Sequence, residues 1–264
     1  MELTLTYGYY NEKDQLINVT INVEQSLEYY KELKELLKIK APIESSLIRV
    51  GSKGDGGYVM VNEFNSNIAY SFGVGDNTTW DEGMSQLGYD VYMYDPTVTF
   101  ESKNPKLHFF KEGIGEKDSE EFKTLETILH RNKHDSVGMI LKMDVEGAEW
   151  PFLKSVKEET LNMFDQILFE FHGLLNPTKD FNILSLLKKL NKTHQLVHLH
   201  GNNCGMVLNI GGLIIPSAIE VTYLNKKYLT TTCNVNLPNP LDSANDLGRE
   251  DIFLGNWNEF DIEK

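Results

Sequence analysis

The stretch Leu141 to Trp150, LKMDVEGAEW, follows an apolar run with Asp144, Glu146 and Glu149. Carboxylates placed where a buried strand leaves its sheet suit two tasks: capping the next helix, or facing a ligand at the carboxyl end of the strand. Two later segments carry a similar polar ending. In QILFEFHG, Glu170 and His172 stand on alternate positions, as do His198 and His200 in HLHGNN, so each pair projects to one side of an extended chain. If the three ends are neighbours, their oxygen and imidazole donors form a set suited to a hard or borderline divalent cation such as Mg²⁺ or Mn²⁺. Asp144, Glu170, His172 and His198 are therefore the metal-ligand candidates. Asp144, Glu146, His172 and His200 are the catalytic ones. For Glu146 and Glu149 the alternative is a cap on a helix beginning near Trp150 and Pro151.

A second group lies upstream. In SFGVGDNTTWD, Gly73 and Gly75 allow a sharp turn and close approach of a ligand, and Asp76 and Asn77 follow, to bond that ligand or cap a helix starting near Trp80. The next strand, VYMYDPTV, ends on Asp95, roughly 20 residues after the glycines, the spacing that brings a carboxylate to ribose hydroxyls. The third glycine of a dinucleotide fingerprint is missing, with Asn77 and Thr78 where a pyrophosphate would approach. A nucleoside cofactor without pyrophosphate fits better. S-adenosylmethionine is one, and its sulfonium suits a site rich in carboxylates.

These residues need elements to position them. Alternation in INVTINV predicts a strand over 17–23, and Leu27, Tyr30, Leu33, Leu36 and Leu37 an amphipathic helix after it. Beyond the turn-rich GSKGDGGYVMV, strands are predicted over 68–72, 91–94, 107–110, 139–143, 167–171 and 196–199. That strand-then-helix beat predicts an α/β fold, a mostly parallel sheet with helices on both faces. AIEVTYL at 218–224 reads as an antiparallel edge, and the tail with Pro238, Pro240, Gly248 and Gly255 as irregular chain. The division is a strand-helix arm or cap over 1–47, a main domain over 48–230, and a tail over 231–264 that packs on it.

Composition narrows the partners. A formal charge of −14 argues against gripping a nucleic acid, which needs a basic face, and favours a small ligand. No apolar stretch is long enough to cross a bilayer, and the start lacks a secretory pattern, so a cytoplasmic setting is expected. Cys204 and Cys233 read as free thiols. The wealth of Asn, Lys and Ile suits an AT-rich bacterial genome. A homo-oligomer is compatible with the sequence, which does not fix the oligomeric state.

With these segments assembled, the chain resembles the FkbM-type family of S-adenosylmethionine-dependent methyltransferases, through GDGGYV, SFGVGDNTTWD, VYMYDPT, LKMDVEGAEW, FEFHG and IEVTY, over roughly 48–225. The resemblance implies a class I methyltransferase fold, Rossmann-like, with a seven-stranded sheet whose last strand is antiparallel. It implies O-methylation of sugars or polyketides, here of a sugar, GDP-linked sugar or heptose destined for capsular or surface polysaccharide. By position it implies that Gly73, Gly75 and Asp95 line the cofactor site, that Asp55 and Gly56 cover its amino-acid end, and that Gly115, Asp118 and Ser119 lie beside the adenine. Asp76 joins this set from its place in the glycine turn. Activation of a sugar hydroxyl requires a base or a chelating cation. The expected mechanism uses a metal held by Asp144, Glu170 and His172 or His198, with His172 or His200 taking the proton. The rivals are a metal-free version with His172 or Glu146 as base, an NAD-dependent sugar oxidoreductase, and a non-catalytic binding module.

Overall fold

The computed structural model describes residues 4–10, 16–63, 65–175 and 182–259. In chain order its principal elements are β1 (Thr4–Tyr10), β2 (Leu16–Asn22), α1 (Val23–Leu36), β3 (Leu47–Val50), β4 (Tyr58–Val61), β5 (Ile68–Phe72), α2 (Thr79–Gln86), β6 (Asp90–Tyr94) and β7 (Leu107–Phe110). Then come α3 (Leu125–Asn132), β8 (Met139–Met143), α4 (Glu149–Ser155), α5 (Glu158–Leu161), β9 (Phe164–Phe171), α6 (Ile183–Thr193), β10 (His194–Gly201) and β11 (Ile219–Asn225). Short two-stranded pairs connect them.

Seven strands form the central sheet in the order β10-β11-β9-β8-β5-β6-β7. Every pairing is parallel except those of β11, which runs antiparallel to both β9 and β10. The segment expected at the sheet edge is thus an interior strand. A returning strand without a crossover helix can enter wherever two parallel strands stand apart, and burial of all seven β11 residues favours the interior. The chain leaves β5 outward through β6 and β7, then crosses back to β8 on its other side. This reversal opens a crevice at the carboxyl ends of β5 and β8, where ligands bind in open α/β sheets.

Alternating side chains feed two layers. Tyr70, Phe72, Leu141, Met143, Phe169 and Phe171 face a large core shared with α1, α3, α4 and α6, while Ala69, Val91, Met93, Ile140 and Leu168 face a second core with Trp80 and Met84 of α2 and Tyr58 and Met60 of β4. In α6, Ile183, Leu186, Leu187 and Leu190 are buried at helical spacing, each contributing roughly 1.5–3 kcal/mol before entropy. Its start is capped by Asn182, whose side chain accepts from the Ser185 amide. Tyr30 and Leu33 of α1, with Leu37 just beyond it, join the large core. Leu237, Leu254 and Trp257 of the tail do so too, and the Trp257 indole donates to the Leu37 carbonyl at 2.9 Å. Among the described residues no helix is long and apolar enough to cross a membrane, and both cysteines are free thiols.

Candidate active site

Two cavities meet at the crevice. One, of about 290 Å³, is lined by Gly73, Tyr94, Asp95, Pro96, Thr97, Gly113, Ile114, Phe122 and the segment from Asp144 to Ala148. The other, of about 400 Å³, is lined by Asp55, Asp144, Glu146, Glu170, His172, Gly173, Asn202, Cys204, Gly205, Ser217 and Ala218. Asp144 and Glu146 belong to both.

The first cavity is a mainly apolar slot, with Asp95 at one wall and Asp144 and Glu146 at its junction with the second. Asp95 ends β6. Its Oδ2 accepts from the amides of Val74 and Gly75, both at 3.0 Å, and its Oδ1 from the Thr97 amide and hydroxyl at 2.8 and 2.6 Å. Burial would raise this carboxyl's pKa, yet the donors from Gly75, Thr97 and Val74 outweigh it and hold the group below its ordinary value. The glycine turn and the acid are thereby tied into one unit. Gly73 sits at φ +76, and a Cβ there would lie 1.6 Å from the Asp144 carbonyl oxygen.

Several residues expected beside the cofactor stand elsewhere. Asp118 caps α3, its carboxylate accepting from the Thr124 amide at 2.8 Å and the Thr127 hydroxyl at 2.6 Å, and Ser119 closes the same loop with Phe122. Both are exposed, and neither lines the slot. Gly115 faces Phe122 outside it as well, and the wall is made instead by Gly113, Ile114 and the Phe122 ring. The 118–124 loop folds on itself because Asp118 and Ser119 find local backbone donors, which turns their polar ends from the slot. Asp76 is exposed and lines neither cavity. Asp55 lines the second cavity, while Gly56 packs against the Asn77 side chain, whose amide donates to the Asp55 carbonyl at 2.7 Å.

In the second cavity, Asp144 follows β8 and its Oδ2 accepts from the buried Tyr58 hydroxyl at 2.9 Å. The neighbouring Lys142 is buried and turned away, donating to the Gly73 carbonyl at 2.8 Å. Glu146 occupies the left-handed region at φ 53, at a cost of roughly 1–2 kcal/mol for a residue with a Cβ. Its side chain is 81% exposed at the cavity rim. Glu149, at the start of α4, is fully buried. Its Oε1 accepts from the Val145 amide at 2.8 Å, and its Oε2 has no hydrogen-bond partner. The cap reading of Glu149 thus describes only one of its oxygens.

His172 lies among these acids, with Nδ1 3.3 Å from Glu149 Oε1 and Nε2 3.4 Å from both Glu146 Oε2 and Glu170 Oε1. Burial would lower its pKa, but pairing with Glu149 and Glu170 prevails and raises it to about 11. Glu170 is itself buried between strands, which raises its carboxyl to about 7 despite the His172 partner. It stands directly opposite Glu220 of β11 and accepts from the Asn202 amide at 2.6 Å.

The third strand end does not join the other two. Antiparallel β11 separates β10 from β9, and the tail supplies β10 with other partners. His198 Nε2 lies 2.8 Å from Asp242 Oδ1, both side chains nearly fully buried, in an ion contact that lacks hydrogen-bond alignment. His200 bonds Glu220 through Nδ1 and Asp251 through Nε2, each at 3.0 Å. Neither histidine lines the cavity. The expectations of His198 as a metal ligand beside Asp144 and of His200 as a base are therefore corrected: both rings are engaged by acids that the strand pattern could not reveal.

Among the described residues, Asp144, Glu149 and His172 each offer a ligand atom within 4.8 Å of the others, and so do Asp55, Glu170 and Glu220. The unpartnered Glu149 Oε2 belongs to the first set, whose carboxylate oxygens suit a divalent ion, whereas the acids around His172 favour its protonated ring, which cannot ligate one. Sequence reasoning missed Glu149 as a member of this cluster and Tyr58 as the hydrogen-bond donor to Asp144. The tyrosine of GDGGYV was the available signal for the latter.

The family model described as the methyltransferase FkbM domain matches residues 10–196. None of the curated proteins compared matches the chain.

Proposed function

Because the chain belongs to the FkbM methyltransferase family, we propose that it transfers the methyl group of S-adenosylmethionine to a hydroxyl of a sugar, free or nucleotide-linked, with a divalent cation assisting. The observation that carries this reading is the meeting of an apolar slot and a polar cavity at Asp144 and Glu146. A nucleoside in the slot, with its ribose against Asp95, directs the sulfonium towards those carboxylates. An acceptor in the second cavity then approaches from the opposite side, as in-line displacement requires.

Asp144 and Glu149 would hold the cation, which when bound polarises acceptor oxygens and lowers the pKa of a hydroxyl. Tyr58 fixes the direction of the Asp144 carboxylate. His172, clamped by acids on both ring nitrogens, is a poor proton acceptor. Glu146, exposed at the junction, is the base in this scheme.

The test is calorimetric binding of S-adenosylmethionine, together with transfer of a labelled methyl group to a panel of methyl glycosides and GDP-sugars. Asp144→Ala is expected to keep cofactor binding and abolish turnover, and EDTA to remove turnover that Mn²⁺ restores. Active Asp144→Ala protein would remove that residue from the chemistry. Undiminished activity in EDTA would favour the metal-free route, and absence of cofactor binding would end the methyl-transfer reading.

A further inference from the structure

We propose that the part of the acceptor entering the larger cavity is an uncharged, polyhydroxylated ring, and that phosphate is kept outside. The inference rests on the methyl-transfer reading above and adds the chemical class that the cavity admits.

Four carboxylates, those of Asp55, Asp144, Glu146 and Glu170, line the cavity, and among the described residues His172 is the single basic side chain in its lining. That imidazolium is already shared among Glu146, Glu149 and Glu170. Two basic residues on the flanking elements lie outside the lining. Lys142 donates to the Gly73 carbonyl, and Arg49 donates to the carbonyls of Ser52 and Gly54, each at 2.8–2.9 Å. Arg249 of the tail pairs with Asp246. A divalent ion held by Asp144 and Glu149 would still leave carboxylates in excess, with Glu220 buried just behind.

Such a wall accepts hydrogen bonds and offers few. Sugar hydroxyls can donate to every carboxylate, the stronger class of hydrogen bond. Phosphate, an acceptor at neutral pH, meets repulsion from these carboxylates, and one of the two Asn202 amide hydrogens is already given to Glu170. Rejection by like charge is an economical way to discriminate between acceptors. In a nucleotide-linked acceptor, the diphosphate would then lie beyond the rim.

Cys204 is exposed and lines this cavity, so its thiol can report the field whatever the acceptor is. In Cys233→Ser protein, the thiolate of Cys204 attacks the sulfenyl sulfur of a methanethiosulfonate, releasing methanesulfinate and forming a mixed disulfide. No other oxidant is needed. The trimethylammonium-ethyl reagent is expected to outpace the sulfonatoethyl reagent by at least ~10-fold, after normalisation to 2-mercaptoethanol, in line with the rate effects of focused fields. The ratio should shrink in high salt and in Asp55→Asn protein. A normalised ratio near one, or a faster anionic reagent, overturns the proposal, and it does so with every residue of the cavity lining in its native form. Separately, labelled methyl transfer is compared between methyl glycosides and the corresponding sugar phosphates. A preferred phosphate ester defeats the proposal while methyl transfer stands. Transfer to no acceptor at all counts against the functional reading, and the reagent ratio still judges the field.

Discussion

Substituting Gly73 by alanine tests the link between the glycine turn and the carboxylate strand end. Gly73 follows β5 at φ +76, its amide donating to the Tyr94 carbonyl and its carbonyl accepting from Lys142. An added Cβ would lie 1.6 Å from the Asp144 carbonyl oxygen and 2.6 Å from its carbonyl carbon, about 2 Å inside ordinary contact. The Asp144 backbone cannot withdraw freely, because its amide is bonded to the Phe72 carbonyl at 3.0 Å and its side chain to Tyr58. The left-handed conformation costs roughly 1–2 kcal/mol for alanine and the overpacking a further ~1–3 kcal/mol. The sum corresponds to a fall in melting temperature of roughly 5–15 °C.

Gly75→Ala is the internal control. Gly75 also has positive φ, +56, but an added Cβ meets nothing within 4 Å, so only the backbone cost of roughly 1–2 kcal/mol applies. Thermal melts of the two variants isolate the clash. Calorimetry with S-adenosylmethionine and a methyl-transfer assay then measure its consequence, expected to be a loss of about 10²-fold or more in turnover for Gly73→Ala, since a shift near 1 Å at reacting groups costs that much. Melting temperatures within about 2 °C of each other would refute the proposed contact.

Three further outcomes follow from the same geometry. Tyr58→Phe removes the donor that holds Asp144 Oδ2 and should lower kcat while leaving cofactor affinity near wild type, at a stability cost of about 1–2 kcal/mol; unchanged kcat would show that Asp144 needs no such orientation. Asp95→Asn exchanges the acceptor for two backbone amides and Thr97 and should weaken S-adenosylmethionine binding by at least ~10-fold by calorimetry. Equal affinity would remove Asp95 from the ribose. His194 is buried, 3.0 Å from the Phe164 carbonyl, and burial lowers its pKa from 6.5 to about 4. The unfolded chain therefore takes up the proton first, so stability is full above pH 6.5 and falls between 6.5 and 4, by about 2 kcal/mol at pH 5. His172 and Glu170, whose pKa values are raised, gain stability over the same range. The His194 share is therefore read as the difference between wild type and His194→Gln in urea midpoints at pH 7.5 and 5: the variant should be less sensitive to acid by about 2 kcal/mol at pH 5.

The predicted spans 68–72, 107–110 and 139–143 coincide with β5, β7 and β8, because short apolar runs bounded by turns read as strands whether they end up buried, as β8 is, or half-buried at the sheet edge, as β7 is. The glycine turn and Asp95 were also legible, since their spacing follows from one strand-helix-strand unit. Strand order was not. Nothing local in AIEVTYL distinguishes an edge from an interior strand, and that one placement moves His198 and His200 away from Glu170. Their acidic partners Asp242 and Asp251 come from the tail, across more than forty residues, a range at which periodicity carries no information. Glu149 was readable as a helix-start residue, but not as a group buried with one oxygen unpartnered, because burial is a property of the whole packing.

The three acids of DVEGAE serve different ends because of one turn. Glu146 in the left-handed region followed by Gly147 at φ 100 reverses the chain, sending Glu146 to the rim and Glu149 into the core. The two carboxylates then approach the same ring from its two nitrogens, Glu149 at Nδ1 and Glu146 at Nε2. A ring held in this way has no lone pair directed at an acceptor, and the acids that hold it disfavour loss of its proton. A histidine at a strand end beside a ligand cavity is on sequence grounds the natural general base, yet here it supplies positive charge among carboxylates. In the proposed scheme the base is therefore Glu146, the one acid of the turn that is largely exposed and borders both cavities.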